Sequence, residues 1–158
     1  MNNTFTFSVG ITARIIGVSP QSILAVRKAF KQPKPPMHEV EIAGQKTREA
    51  DLTDTDWLEK VEEWKMELTE RVQAIYFEDG LELDVDPAEV KRIAEDIRAK
   101  FAQRESPLKG SDKLIFVAHH CIRGTAELNA LMKAIRGATE TTEEGIAEAT
   151  ATFRPAGE

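Results

Sequence analysis

The sequence is short of several things that usually declare a function. It has one cysteine, Cys121, so no disulfide can form within the chain, which fits a reducing compartment. Aromatic residues are 6% of the chain, with two tryptophans and one tyrosine. The longest apolar run, Leu114 to Ala118, is five residues, far below the ~20 needed to span a bilayer. The opening Met-Asn-Asn-Thr-Phe has no basic patch leading into a hydrophobic stretch, so a secretory leader is not expected. There is no glycine-rich phosphate loop and no Gly-x-Ser-x-Gly elbow, and these absences argue against an enzyme. What is present is 41% hydrophobic and 30% charged residues in 158, enough apolar mass for a core.

Charge is uneven. The whole chain carries −6, yet residues 1–40 hold Arg14, Arg27, Lys28, Lys31 and Lys34 against Glu39 alone, a net +4. A basic head on an acidic body suits contact with an acidic surface better than nucleic acid, for which five cations are a small excess. Pro33-Lys-Pro-Pro36 forbids a helix and reads as a stiff polyproline II linker.

Local periodicity supplies the elements. Thr4 to Val9 alternates and predicts a strand. Ser19-Pro20 opens a short helix to Lys31 with Ile23, Leu24, Val26, Ala29 and Phe30 as its apolar residues. His38 to Ile42, a turn at Ala43-Gly44-Gln45 and a return over Lys46 to Leu52 predict a half-exposed hairpin. Asp54 or Thr55 caps the strongest helix, which bears Trp57, Val61, Trp64, Leu68, Val72 and Ile75 at spacings of three and four and stops at Glu78-Asp79-Gly80. Asp86-Pro87 opens another helix, with Val90, Ile93, Ala94, Ile97 and Phe101 on one stripe. The next starts at Ser111 or Asp112 and is buried through Leu114–Ala118. Glu127 to Arg136 is read as a further helix closed by Gly137, and Thr142 as the start of a last one bearing Ile146, Ala149 and Phe153. The expected fold is mainly α: about five helices with a short N-terminal strand and β-hairpin element around a Pro-rich linker. The expected division is 1–53, a helical domain 54–153, and a flexible tail 154–158.

His119-His120-Cys121 is the sole cluster of soft ligands. Helical neighbours point about 100° apart and do not chelate one ion together, so no metal or cofactor is expected. Cys121 is expected to pack as a small hydrophobe. The string from Ala13 through Gly17 to Val26-Arg-Lys28 has helix-turn-helix spacing, which makes a DNA-binding regulator over residues 11–30 an alternative reading.

The order of elements resembles a family. A Ser-Pro turn leads to Ile23-Leu-Ala-Val-Arg-Lys-Ala-Phe30, then Pro33-Lys-Pro-Pro36, His38-Glu-Val-Glu-Ile42, the acidic stretch Glu49 to Asp56, and the helix Trp57 to Tyr76. Ala126 to Met132 and Thr142 to Ala149 follow as a closing pair of helices, with Phe153-Arg154 at the end. This series resembles the tail assembly chaperone-like proteins of long-tailed, siphovirus-type phages. Where those proteins often carry Asn-Pro and Asp-Pro in the acidic stretch, this chain reads Leu52-Thr-Asp-Thr-Asp56. The resemblance implies a non-enzymatic protein of the host cytoplasm during virion assembly. It would bind the tape measure protein, keep that long helical chain in solution, and help recruit tail tube subunits. Expected contact residues are Ile23, Phe30, Pro33, Pro35, Pro36, Trp57, Trp64 and Leu68. No membrane is involved, self-association is left open, and a small virion structural or adaptor subunit is a further alternative.

Overall fold

The computed structural model describes residues 3–152, with side chains through residue 139. The chain forms two compact units, Met1–Ile23 with Gln73–Glu158, and Leu24–Val72. The boundary expected at residue 53 does not separate them; the second unit is inserted into the first.

The fold is α+β and mainly helical, with five α-helices and two small antiparallel sheets among the described residues, and this corrects the expectation of a helical domain with a minor β element. The difference lies in the first unit. Its sheet has the order β1-β2-β5, from β1 (Thr4–Thr6), β2 (Thr12–Ile15) and β5 (Leu81–Leu83). Ala13 pairs with both Phe5 and Leu83, and Arg14 with both Thr4 and Glu82. In β2 the apolar Ala13 and Ile15 point to the core and Thr12 and Arg14 away from it, a period of two. Arg14 forms an ion pair with Glu82 across the strands. Residues 12–15 are thus a central strand, and the first helix of the helix-turn-helix reading does not exist. The expected strand Thr4–Val9 ends at Thr6, because Phe7 turns into the core and Gly10, at φ +89°, reverses the chain.

The remaining helices of this unit cover the core. Asp86 caps α3 (Pro87–Gln103) by accepting from the Ala88 N–H, and Val90 and Ala94 are its buried residues. Ser111 caps α4 (Asp112–Phe116), which passes into a π-helical turn, Val117–Cys121, whose signature is the Ile122 N–H donating to the Val117 carbonyl. Of the apolar segment Leu114–Ala118, Ile115, Phe116 and Val117 are buried and the two ends half-buried, and Cys121 is buried beyond it. Lys113 reaches from α4 to donate to the carbonyls of Glu78 and Leu81, tying down the chain between α2 (Thr55–Asp79) and β5. Burial lowers the pKa of this lysine below its ordinary value.

The closing helix α5 runs unbroken from Thr125 to Thr152, so the expected stop at Gly137 and the separate helix from Thr142 are corrected. A glycine inside a helix costs about 1 kcal/mol, which tertiary contacts outweigh here. Leu131 and Ile135 are buried before Gly137, and beyond it the Thr139 hydroxyl donates to the Ile135 carbonyl and accepts from the Val18 N–H. Phe153 lies outside the described residues, as do the side chains of Ile146 and Ala149. At the other end of α5, the Glu127 carboxylate accepts from Ser8 and from the Arg123 N–H, joining the β1–β2 turn to the helix start.

The second unit holds most of α1 (Pro20–Ala29), the hairpin of β3 (Met37–Ile42) and β4 (Gln45–Ala50), and most of α2. The hairpin forms where expected, but Gln45 is not part of its turn: it pairs with Ile42, and the second arm runs Gln45–Ala50 rather than Lys46 to Leu52. Its two-residue turn, Ala43-Gly44, has positive φ at both positions (54° and 79°), the conformation that matches the twist of a tight hairpin.

Candidate binding site

The tryptophan helix and the Pro-rich strip come together in the second unit. Asp54 starts α2 by accepting from the Trp57 N–H at 2.8 Å, and the Asp51 carboxylate holds Thr53 just before it. The hydroxyl and N–H of Thr53, with the charge of His38 beyond them, keep the Asp51 carboxyl below the ordinary carboxylate range. Along α2, Trp57, Val61, Trp64 and Leu68 share one stripe; Val61 is buried and the other three are half-buried.

The strip lies along that stripe. The Trp64 indole N–H donates to the Phe30 carbonyl at 3.1 Å and the Trp57 indole N–H to the Pro33 carbonyl at 2.9 Å. The spacings agree: two helical turns from Trp57 to Trp64 rise about 10.5 Å, and three residues of extended polyproline-like chain cover about 9.3 Å. Strip and helix therefore run antiparallel. The Phe30 ring stacks on Trp64 (centroids 6.5 Å apart, 20° between planes), and the Arg71 guanidinium sits 4.3 Å above the Phe30 ring. A proline-rich strip has carbonyls to satisfy and few N–H groups, so two indole donors are a fitting partner for it.

Of the expected contact residues, Phe30, Pro33, Trp57 and Trp64 are brought together by these bonds. Pro35 is half-buried, while Pro36 is exposed with its carbonyl accepting from the Asp51 N–H at 2.8 Å. Leu68 continues the stripe. Ile23 is half-buried on α1 and belongs to the first unit.

A different set of residues, Met66 apart, carries no sequence signal as a site. Among the described residues, the large apolar side chains left exposed are Ile16 in the first unit and Leu24, Met37, Ile42, Leu52, Leu58 and Met66 in the second, with Met66 at 67% and Leu52 at 62%. In the second unit Val61 is the only buried residue. Periodicity could have flagged Met66: at about 100° per residue it stands on the side of α2 opposite the tryptophan stripe.

The first unit offers a groove of about 440 Å³ lined by Thr12, Asp84, Asp86, Glu89, Ile93 and His120, among others. Its groups already have partners: Asp86 caps α3, and the His120 ring packs on Phe116, a neighbour in the same lining, at 5.0 Å. His119 similarly meets the Phe101 ring at 5.0 Å. Burial lowers the pKa of both histidines, and for His120 the Arg123 charge adds to the effect. Burial pushes the Cys121 thiol up to about 12, far from a nucleophile's range. Among the described residues no group of three or more His, Cys, Asp or Glu side chains could hold a metal ion, and no helix is long and apolar enough to cross a membrane.

No protein-family model, curated protein or solved structure matches the chain.

Proposed function

We propose that this protein is a non-enzymatic tail assembly chaperone that binds the tape measure protein through its Leu24–Val72 unit, helps recruit tail tube subunits to it, and works in the host cytoplasm. The observation that carries the reading is the imbalance in that unit. It has one buried residue and six exposed large apolar side chains, and its tryptophan stripe is only half-buried. So much exposed apolar side chain against so little core favours a surface that another chain covers. An amphipathic helix laid on it would bury side chains at helical spacing. The resemblance in element order supplies the client's identity, and the net charge of −6 favours keeping the complex dispersed.

Trp57 and Trp64 then have an indirect role: by fixing the strip they preorganise the surface, while Met66, Leu58 and Leu52 meet the client. The test is co-expression with the tape measure protein of the same genome, scoring its solubility and co-elution. The expected result is a soluble complex that weakens when Met66→Asp and Leu58→Asp are combined. A tape measure protein equally insoluble with and without this chain refutes the proposal. Presence of the chain in finished particles would instead favour a structural adaptor.

A further inference from the structure

The β3–β4 hairpin is a two-stranded sheet, and among the described residues no third strand pairs with either edge. Such a sheet is marginal in water until a further strand or surface completes it. The register shows what its edges offer. Ile42 faces Gln45 across the two-residue turn, so 42/45, 40/47 and 38/49 are the hydrogen-bonded pairs, and the Asp51 N–H donating to the Pro36 carbonyl continues that phase. The alternate residues therefore turn their N–H and C=O groups outward: Met37, Glu39 and Glu41 on β3, and Lys46, Arg48 and Ala50 on β4. All six are exposed. Each edge carries one sign of charge, and the four charged side chains lie on one face of the sheet.

We infer that a second copy of this chain docks its β4 edge on the free β3 edge, antiparallel, with Glu39 opposite Arg48 and Glu41 opposite Lys46. That pairing repeats between chains the register already formed within one. The like-edge alternatives are disfavoured: β3 on β3 sets glutamates opposite glutamates, and β4 on β4 sets Arg48 opposite Arg48. The interface is heterologous, so each copy keeps one acidic and one basic edge, and the assembly grows until it closes as a ring or runs on as a filament. Charged edges also repel unrelated apolar strands, which restricts the surface to a complementary partner.

Two single-cysteine additions test the register in the full chain, where the native Cys121 is buried. Chains carrying Glu39→Cys are mixed with chains carrying Arg48→Cys and mildly oxidised. The expected result is a disulfide-linked dimer several-fold more abundant in the mixture than in either variant alone. Sedimentation of the unmodified chain is expected to show mass rising with concentration. E39K/E41K should weaken association about tenfold, and E39K/E41K/K46E/R48E should restore it. A chain monomeric at all concentrations, linked dimers from Glu39→Cys alone at the level of the mixture, or an edge that pairs only with a strand of another protein would each overturn the inference.

Discussion

Replacing Gly80 with alanine sets a steric cost against an entropic gain, and the structure decides which is larger. A Cβ at Gly80 would lie 2.5 Å from the Tyr76 carbonyl oxygen, 2.8 Å from Ile135 Cγ2 and 3.0 Å from Val18 Cγ2. The nearest of these is helix backbone and cannot swing aside. Gly80 cannot retreat either, since its carbonyl accepts from the N–H groups of Ile16 and Gly17 and its N–H donates to Tyr76. Overpacking of this kind costs about 1–3 kcal/mol, while alanine's smaller unfolded-state entropy returns about 0.4–1 kcal/mol. The expected net is a loss of about 1–2 kcal/mol, a Tm lower by about 2–8 °C for a chain of this size. Gly137→Ala is the control. It lies inside α5, where a Cβ meets nothing within 4 Å, so the added helix propensity stabilises by about 0.5–1 kcal/mol. Urea unfolding with an unchanged slope gives both values. If Gly80→Ala is neutral or stabilising, or if both variants shift the midpoint in the same direction, the packing of α2, β2 and α5 described here is wrong.

Ala43→Asn should stabilise the hairpin by about 0.5–1 kcal/mol, because residue 43 sits at φ 54°, where asparagine is tolerated better than alanine; hydrogen exchange at β3 and β4 reads this. The Ser8 N–H, then the Arg123 N–H, hold the Glu127 carboxyl below the ordinary glutamate range. Its contribution is therefore complete above that range and lost as pH falls through the depressed value, so Glu127→Gln should flatten the acid limb of stability against pH. His119 and His120, with pKa values lowered by burial, act in the same sense: the unfolded chain takes up their protons first, and stability falls as pH drops below about 6.5. Cys121 should react with a thiol reagent only at the rate of unfolding, given its burial and a thiol pushed up to about 12; fast reaction in native buffer would contradict its placement.

How much of this was legible depended on whether the signal was local. The stripe of α2, the Asp86-Pro87 start of α3 and the existence of the β3–β4 hairpin were, because each is written within one segment. The first sheet was not. Thr12–Ile15 is four residues with a helix-compatible composition, and its partners lie at Thr4–Thr6 and Leu81–Leu83, the latter beyond the whole inserted unit. Gly137 read as a stop because its helix-breaking tendency is intrinsic, while what overrides it, Val18 held by Thr139, comes from the other end of the chain. At the candidate site Trp57 and Trp64 were legible as a pair, but their hydrogen bonds to Pro33 and Phe30 depend on the path of the strip. Met66 was legible as the apolar residue opposite the α2 stripe, whereas Leu52 lies in a turn outside any periodic segment.

The proposed function requires that a helical client cover the Leu24–Val72 unit. Hydrogen exchange of the full chain, alone and bound to the tape measure protein, tests it residue by residue. New protection is expected across α2 and the strip from Phe30 to Met37. Unchanged exchange there, or protection confined to the Met1–Ile23 and Gln73–Glu158 unit, would contradict it.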